Sequence, residues 1–114
     1  MAKIDIIEIM KLKDPIIRII KEVAHSYFSD AEIMLFGSRA IMTETADSDY
    51  DILIVTNQFL KPEEKTPIRT QIRKDLLKVG VRSDILIQSQ EEIRKKKELP
   101  GHIIRNILID AVLL

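Results

Sequence analysis

Residues 36–51 read FGSRAIMTETADSDYD. An apolar segment runs into Gly37-Ser38, and the stretch closes on Asp49-Tyr50-Asp51 at the head of a second apolar run, Ile52 to Val55. The two apolar runs read as strands, and only about a dozen residues link them. That is short for a parallel crossover, so the sheet is expected to be mixed.

Asp47, Asp49 and Asp51 crowd into five positions. The simplest reading is a solvated turn, because Asp and Ser favour turns by bonding their own backbone. A calcium loop is excluded: an EF-hand beginning at Asp47 needs Gly at its sixth position and Glu at its twelfth, where this chain has Ile52 and Gln58. The third reading is catalytic. Asp49 and Asp51 are two apart, which on a strand puts both carboxylates on one face and turns Tyr50 and Ile52 into the packing. Two carboxylates held so close repel unless a cation sits between them, and Mg²⁺ binds through one or two carboxylates plus substrate phosphates. Asp84 heads another apolar run in RSDILI. Asp is disfavoured in strands, so its presence before "IL" in two of them points to one shared site. Gly37-Ser38 supplies the complement, a strand end turning into a short helix whose N–H groups and hydroxyl suit phosphate oxygens.

Outward from this stretch the pattern alternates. Asp5 and Glu8 form a capping-box pattern for a short helix over 6–12. Asp14 caps and Pro15 opens a longer helix, with Ile16, Ile20, Val23 and Tyr27 at helical spacing. EIMLF is a strand ending at Gly37, and YDILIV a strand buried on both faces. NQFLKPEEKT reads as a loop; Thr66 and Pro67 then start a second long helix with Ile68, Ile72, Leu76 and Val79 on one face and Gly80 as its stop. VRSDILIQ is a third strand. SQEEIRKKKE is a helix capped by Ser89 and Glu92, and the tail HIIRNILIDAVLL is helical before ending as a short strand. The order α-β-α-β-α-β-α gives an α/β (α+β) fold, a small mixed sheet flanked by helices.

The 114 residues suit a single domain, 1–114. Apolar residues make up 46% and charged residues 32%, a globular profile. The 18 basic and 18 acidic residues balance, and aromatics are only 4%, so neither the basic footprint nor the stacking platform of a nucleic-acid binder is present. No cysteine is present, which removes disulfides and thiolate metal sites. The N-terminus lacks a signal-peptide pattern and no run reaches membrane-spanning length, so the expected location is cytoplasmic. With three glycines, Gly37, Gly80 and Gly101, neither GxGxxG nor a P-loop can be built.

An apolar residue, Gly37-Ser38, ten residues, then Asp49, Tyr50, Asp51 and a hydrophobic strand resembles the signature of the DNA polymerase β-like nucleotidyltransferase superfamily. The string FGSRA…DSDYDILIV resembles its minimal (MNT) branch, over roughly residues 31–90, with Asp84 in the place of the family's third carboxylate. The chain departs from that branch at Ile41-Met42, where members often carry Arg-Gly; the change puts nucleotide affinity or acceptor choice in question and leaves the carboxylates intact.

The resemblance implies a polymerase β-like fold and transfer of a nucleoside monophosphate, AMP from ATP, to a hydroxyl, with pyrophosphate leaving. It implies two Mg²⁺ ions, held by Asp49 and Asp51, with Asp84 on the catalytic ion and helping to deprotonate the acceptor. Gly37 and Ser38 would hold the β- and γ-phosphates, and Arg39 either triphosphate charge or a structural salt bridge. The branch is often paired with a small helical HEPN protein in toxin–antitoxin modules, which makes a HEPN-type partner the expected acceptor and the chain an antitoxin. A non-enzymatic binding module and a small-molecule nucleotidyltransferase are the competing readings, and a homo-oligomer stays open. The apolar tail reads as core or edge strand ahead of a partner surface. The charged run EEIRKKKE reads as a solvated face. His25 and His102 read as structural, and the Arg18–His25 spacing, although it resembles a HEPN ribonuclease motif, as coincidence.

Overall fold

The computed structural model describes residues 14–114; the helix expected over 6–12 lies outside them. Four strands form one sheet in the order β3-β2-β1-β4. The strands are β1 (Glu32–Phe36), β2 (Tyr50–Thr56), β3 (Ser83–Ser89) and β4 (Val112–Leu113). β1 runs antiparallel to both β2 and β4, whereas β2 and β3 are parallel. The sheet is therefore mixed, as the short β1–β2 link requires.

Helices cover both faces. On one face α1 (Pro15–Tyr27) and α2 (Pro62–Lys78) pack over Ile33, Leu35, Ile52, Ile54, Ile85 and Ile87. On the other, α3 (Gln90–Lys96) and α4 (Ile103–Asp110) cover Leu53, Val55 and their neighbours. β2 is thus buried on both sides, which explains its unbroken apolar run. No helix among the described residues is long and apolar enough to cross a membrane.

The caps form largely as the residues dictate. The Asp14 carboxylate accepts from the Ile16 N–H at 2.9 Å. Ser89 and Glu92 close a reciprocal capping box, with the Glu92 N–H donating to Ser89 Oγ and the Ser89 N–H to Glu92 Oε1. The second long helix departs from expectation. It starts at Pro62, not at Thr66–Pro67, and Pro67 lies inside it. Pro62 takes the first helical position, Glu63 and Glu64 favour the first turn, and the Lys61 N–H donates to Glu64 Oε1 at 3.1 Å. These local terms outweigh the single backbone bond that Pro67 removes near the helix start.

The stripe of α1 is rotated from its sequence reading, and that of α2 holds at Ile68, Ile72 and Leu76 but ends before Val79, its C-cap. α1 buries Ile17, Ile20 and Ala24, leaving Tyr27 on the surface, and α2 buries Ile72 and Leu76 while Val79 is exposed. The tail is both core and edge strand: Ile104 and Ile107 are buried and β4 pairs with β1, while Ile103, Ile109 and Leu113 face out. His25 Nε2 is 3.0 Å from the Ala31 carbonyl, and His102 Nδ1 accepts from the Ile104 N–H at the start of α4. Both histidines are structural. Arg18 pairs with Glu22 on the exposed side of α1.

Candidate active site

The end of β1 and the beginnings of β2 and β3 meet at one edge of the fold. In the ladder, Phe36 pairs with Asp51 and Asp51 with Asp84. In a parallel pair, register partners point to the same face. Asp51 and Asp84 therefore stand side by side, 33 positions apart in sequence (84 − 51). Tyr50 and Ile52 turn to the opposite face, where both are buried.

Asp51 is half-buried and Asp84 exposed. Burial pushes the Asp51 carboxyl above its usual range, and the charges of Asp84 and then Asp49 push it further. The three carboxylates are not equivalent. Asp49 precedes β2, is exposed, and lies 3.5 Å from Arg82 Nε. Among the described residues no three Asp, Glu or His side chains close into a ready-made cation cage. Two adjacent carboxylates with a third drawn aside is a donor set of hard oxygens that suits Mg²⁺, an ion that takes one or two carboxylates and completes its shell with water and phosphate.

Gly37, directly after β1, takes φ +72°, a left-handed conformation. A Cβ at this position would stand 2.1 Å from Asp51 Oδ2. Gly37 is therefore required twice, by its backbone and by the carboxylate it makes room for. The turn beyond it is not the expected short helix but consecutive turns: the Ala40 and Ile41 N–H groups donate to the Gly37 carbonyl, and the Thr43 N–H to the Ser38 carbonyl. Among the described residues the Ser38 and Arg39 N–H groups find no acceptor, which leaves them for an anion.

Arg39 holds the loop. Its Nε and Nη2 donate to the Ser48 carbonyl at 3.0 and 2.8 Å, and its guanidinium lies 4.0 Å above the Tyr50 ring. A backbone carbonyl thus takes the place of the acidic partner expected for a salt bridge. Tyr50 in turn donates from its hydroxyl to Asp14 Oδ2 at 2.8 Å, and its pKa is raised to about 12, first by burial and then by Asp14. Asp14 at the start of α1, Tyr50 and Arg39 thereby fix the loop that carries Asp49. Asp47 is an exposed turn residue whose carbonyl accepts from Arg82. Sequence reasoning missed Tyr50 and Arg82 as organisers of the site; the only sequence signal was their adjacency to Asp49, Asp51 and Asp84.

Solved structures share this arrangement of elements. The crystal structure of a protein assigned as a nucleotidyltransferase superposes with a TM-score of 0.60 at 25% identity, over 86% of this chain and 96% of that one. A second crystal structure, of a protein from Sulfolobus solfataricus assigned likewise, gives a TM-score of 0.58 at 20% identity over 99% of this chain and 89% of that one, a likeness of fold. No curated protein matches the chain significantly. The profile of the nucleotidyltransferase domain matches residues 16–114, nearly all of what the structure describes, and on that match the chain belongs to the nucleotidyltransferase domain family.

Proposed function

We propose that the chain transfers AMP from ATP to a hydroxyl of a partner protein, a small helical HEPN-type toxin, and so acts as an antitoxin. The observation that carries the transfer reading is the Asp51–Asp84 pair, with Gly37 pressed against Asp51 at the open end of the sheet. Nucleotidyltransferase domains use nucleotides and divalent metals; here two Mg²⁺ ions, when bound, would neutralise charge on the attacking and leaving oxygens.

The chain's own groups then have separate tasks. Asp49 and Asp51 would hold the metal ions through their carboxylate oxygens. Asp84 would hold one of them as well, and takes the proton of the acceptor hydroxyl. Gly37 lets the backbone approach, the Ser38 hydroxyl and the Ser38 and Arg39 N–H groups receive the β- and γ-phosphates, and Arg39 keeps their loop in place. The exposed Ile103, Ile109 and Leu113 support a partner-facing surface.

Incubation with α-labelled ATP, Mg²⁺ and the product of the adjacent gene tests this reading. Label on that product is expected, and Asp49→Ala or Asp51→Ala should abolish it with the fold intact. Complex formation without label would replace the reading with a binding module, and full activity in either variant would remove the site assignment.

A further inference from the structure

Ser83 pairs with Tyr50 in the β2–β3 ladder, so both point to the face of the sheet that α1 and α2 cover, away from Asp51 and Asp84. On that face a cavity of about 440 Å³ opens between α2 and the start of β3, with Asp49, Arg73, Lys74, Arg82 and Ser83 in its lining and Leu77 and Val81 as apolar wall. The volume lies within the range of small-ligand sites. Three cations meet one carboxylate there, an excess of two positive charges (3 − 1), in a chain whose 18 basic and 18 acidic residues balance. Among the described residues Arg73 and Lys74 make no ion pair. The Ser83 hydroxyl is buried and has no partner among the described residues, a state that native structures rarely leave unexplained. Arg82 alone of the three cations is engaged. Its Nε lies 3.5 Å from Asp49 Oδ1, and its Nη2 donates to the Asp47 carbonyl. Both side chains of the Arg82–Asp49 pair are more than half exposed, so the pair is weak.

We propose that this cavity binds a small phosphate monoester and that its occupant draws Arg82 away from Asp49. A phosphate monoester carries close to two negative charges at neutral pH, which answers the excess of two. Arg73 and Lys74 are the cations without another partner, and the Arg82 guanidinium offers phosphate oxygens a two-pronged contact stronger than its exposed pair with Asp49. Leu77 and Val81 receive a short carbon body. Neither Asp51, Asp84 nor Gly37-Ser38 lines the cavity, so the ester is an effector and not a reactant. Its effect rests on the nucleotidyl-transfer reading above, in which Asp49 is a metal ligand. Arg82 competes with a metal ion for Asp49, and an ester that takes Arg82 leaves that carboxylate to Mg²⁺. The coupling is reciprocal, so Mg²⁺ strengthens ester binding by the same factor. The weakness of the exposed pair limits that factor to about two- to fivefold.

Amide NMR titrations of the full chain test this, with n-butyl phosphate, inorganic phosphate and n-butanol as probes. The ester should shift the amides of residues 70–77 and 81–83 saturably, inorganic phosphate should do so more weakly, and butanol should leave them unmoved. Arg73→Glu/Lys74→Glu, at two exposed positions, should weaken ester binding by about tenfold or more with an otherwise unchanged spectrum. Mg²⁺ is then titrated with the ester absent and at saturation, read at the amides of residues 49–51 and 84. Its affinity should rise about two- to fivefold with the ester bound, and Arg82→Gln should remove that rise. The variant also corrects for Mg²⁺ that pairs with the ester in solution, which is the same in both proteins. An equal response to butanol, inorganic phosphate binding as tightly as the ester, an undiminished response in the double variant, or shifts at Gly37 and Ser38 instead of the cavity would each overturn the site. An unchanged Mg²⁺ affinity, or the same rise in Arg82→Gln, would overturn the coupling. Mg²⁺ that moves none of these amides, with or without the ester, would count against the transfer reading and take the coupling with it, while the ester titration decides the site on its own.

Discussion

Gly37 and Asp51 share one place in the fold: a Cβ on Gly37 would meet Asp51 Oδ2 at 2.1 Å. The carboxylate cannot keep its position if residue 37 has a side chain. Gly37→Ala is therefore expected to move Asp51 by a substantial fraction of an ångström, and displacement on that scale costs about a hundredfold in rate. The left-handed φ of +72° adds about 1–2 kcal/mol of strain. Mg²⁺–ATP titration and label transfer read the first effect, and thermal melting reads the second. An alanine variant that binds and transfers normally would show that Asp51 does not depend on this contact.

Asp51 also makes the metal-free protein sensitive to pH. Its carboxyl is raised by burial, then by Asp84 and Asp49, so the fold favours the protonated form. The stability this group contributes is present below the ordinary carboxylate pKa and is lost as pH rises through the raised value. At neutral pH the ionised group is a burden. Asp51→Asn should accordingly melt at a higher temperature than the native protein at pH 7 in chelator, with the difference shrinking toward pH 4. Mg²⁺ should raise the melting temperature of the native protein and leave the variant nearly unchanged.

Met42 takes a φ of +62° and is half-exposed. It stands where the family branch that the sequence resembles often has glycine. A left-handed conformation strains a side chain that glycine would not carry. Met42→Gly should stabilise the protein by about 0.5–1 kcal/mol, less than the full strain because glycine enlarges the unfolded ensemble. Urea denaturation would measure this. A loss of stability would mean that the Met42 side chain contributes more than its backbone costs.

Lys65 and Glu92 join α2 to the start of α3 with a 2.9 Å contact between two mostly buried side chains. Burial alone would raise Glu92, but the Ser89 N–H and Lys65, with Lys96, bring it below its usual value. Its contribution is thus present above the ordinary carboxylate pKa and fades as pH falls through the lowered one. Lys65→Met leaves that carboxylate without its nearer charged partner and should cost about 1–2 kcal/mol at pH 7. The penalty should diminish in acid, which melting across pH 3–7 would reveal.

Much of this could be read from residues that act locally. Asp14-Pro15 and Ser89–Glu92 carry their capping chemistry with them, and both helices begin there. The repeated "DIL" of β2 and β3 predicted aligned carboxylates, and the ladder pairs Asp51 with Asp84. The misplaced start of α2 came from treating Pro67 as a boundary, although a proline in an early turn costs little once Pro62 has opened the helix. Tyr27 and Val79 were assigned to the core by periodicity, which fixes the spacing of a stripe but not where it ends. The Arg39–Tyr50–Asp14 chain and the cavity beside Arg82 depend on contacts between distant segments, which no local pattern encodes.

The loop between β1 and β2 is clamped at both ends by one antiparallel pair, Phe36 opposite Asp51. Beyond Gly37, Ser38 and Arg39, its length and sequence can therefore vary without transmitting a change to Asp51 or Asp84, whose register is set by hydrogen bonds behind them. The scaffold separates inheritance of the chemistry from inheritance of the recognition: the strands, Gly37–Arg39 and Asp49 preserve the one, while residues 40–47, inside the Arg39–Ser48 clamp, are free to be exchanged, lengthened or grafted to suit another substrate.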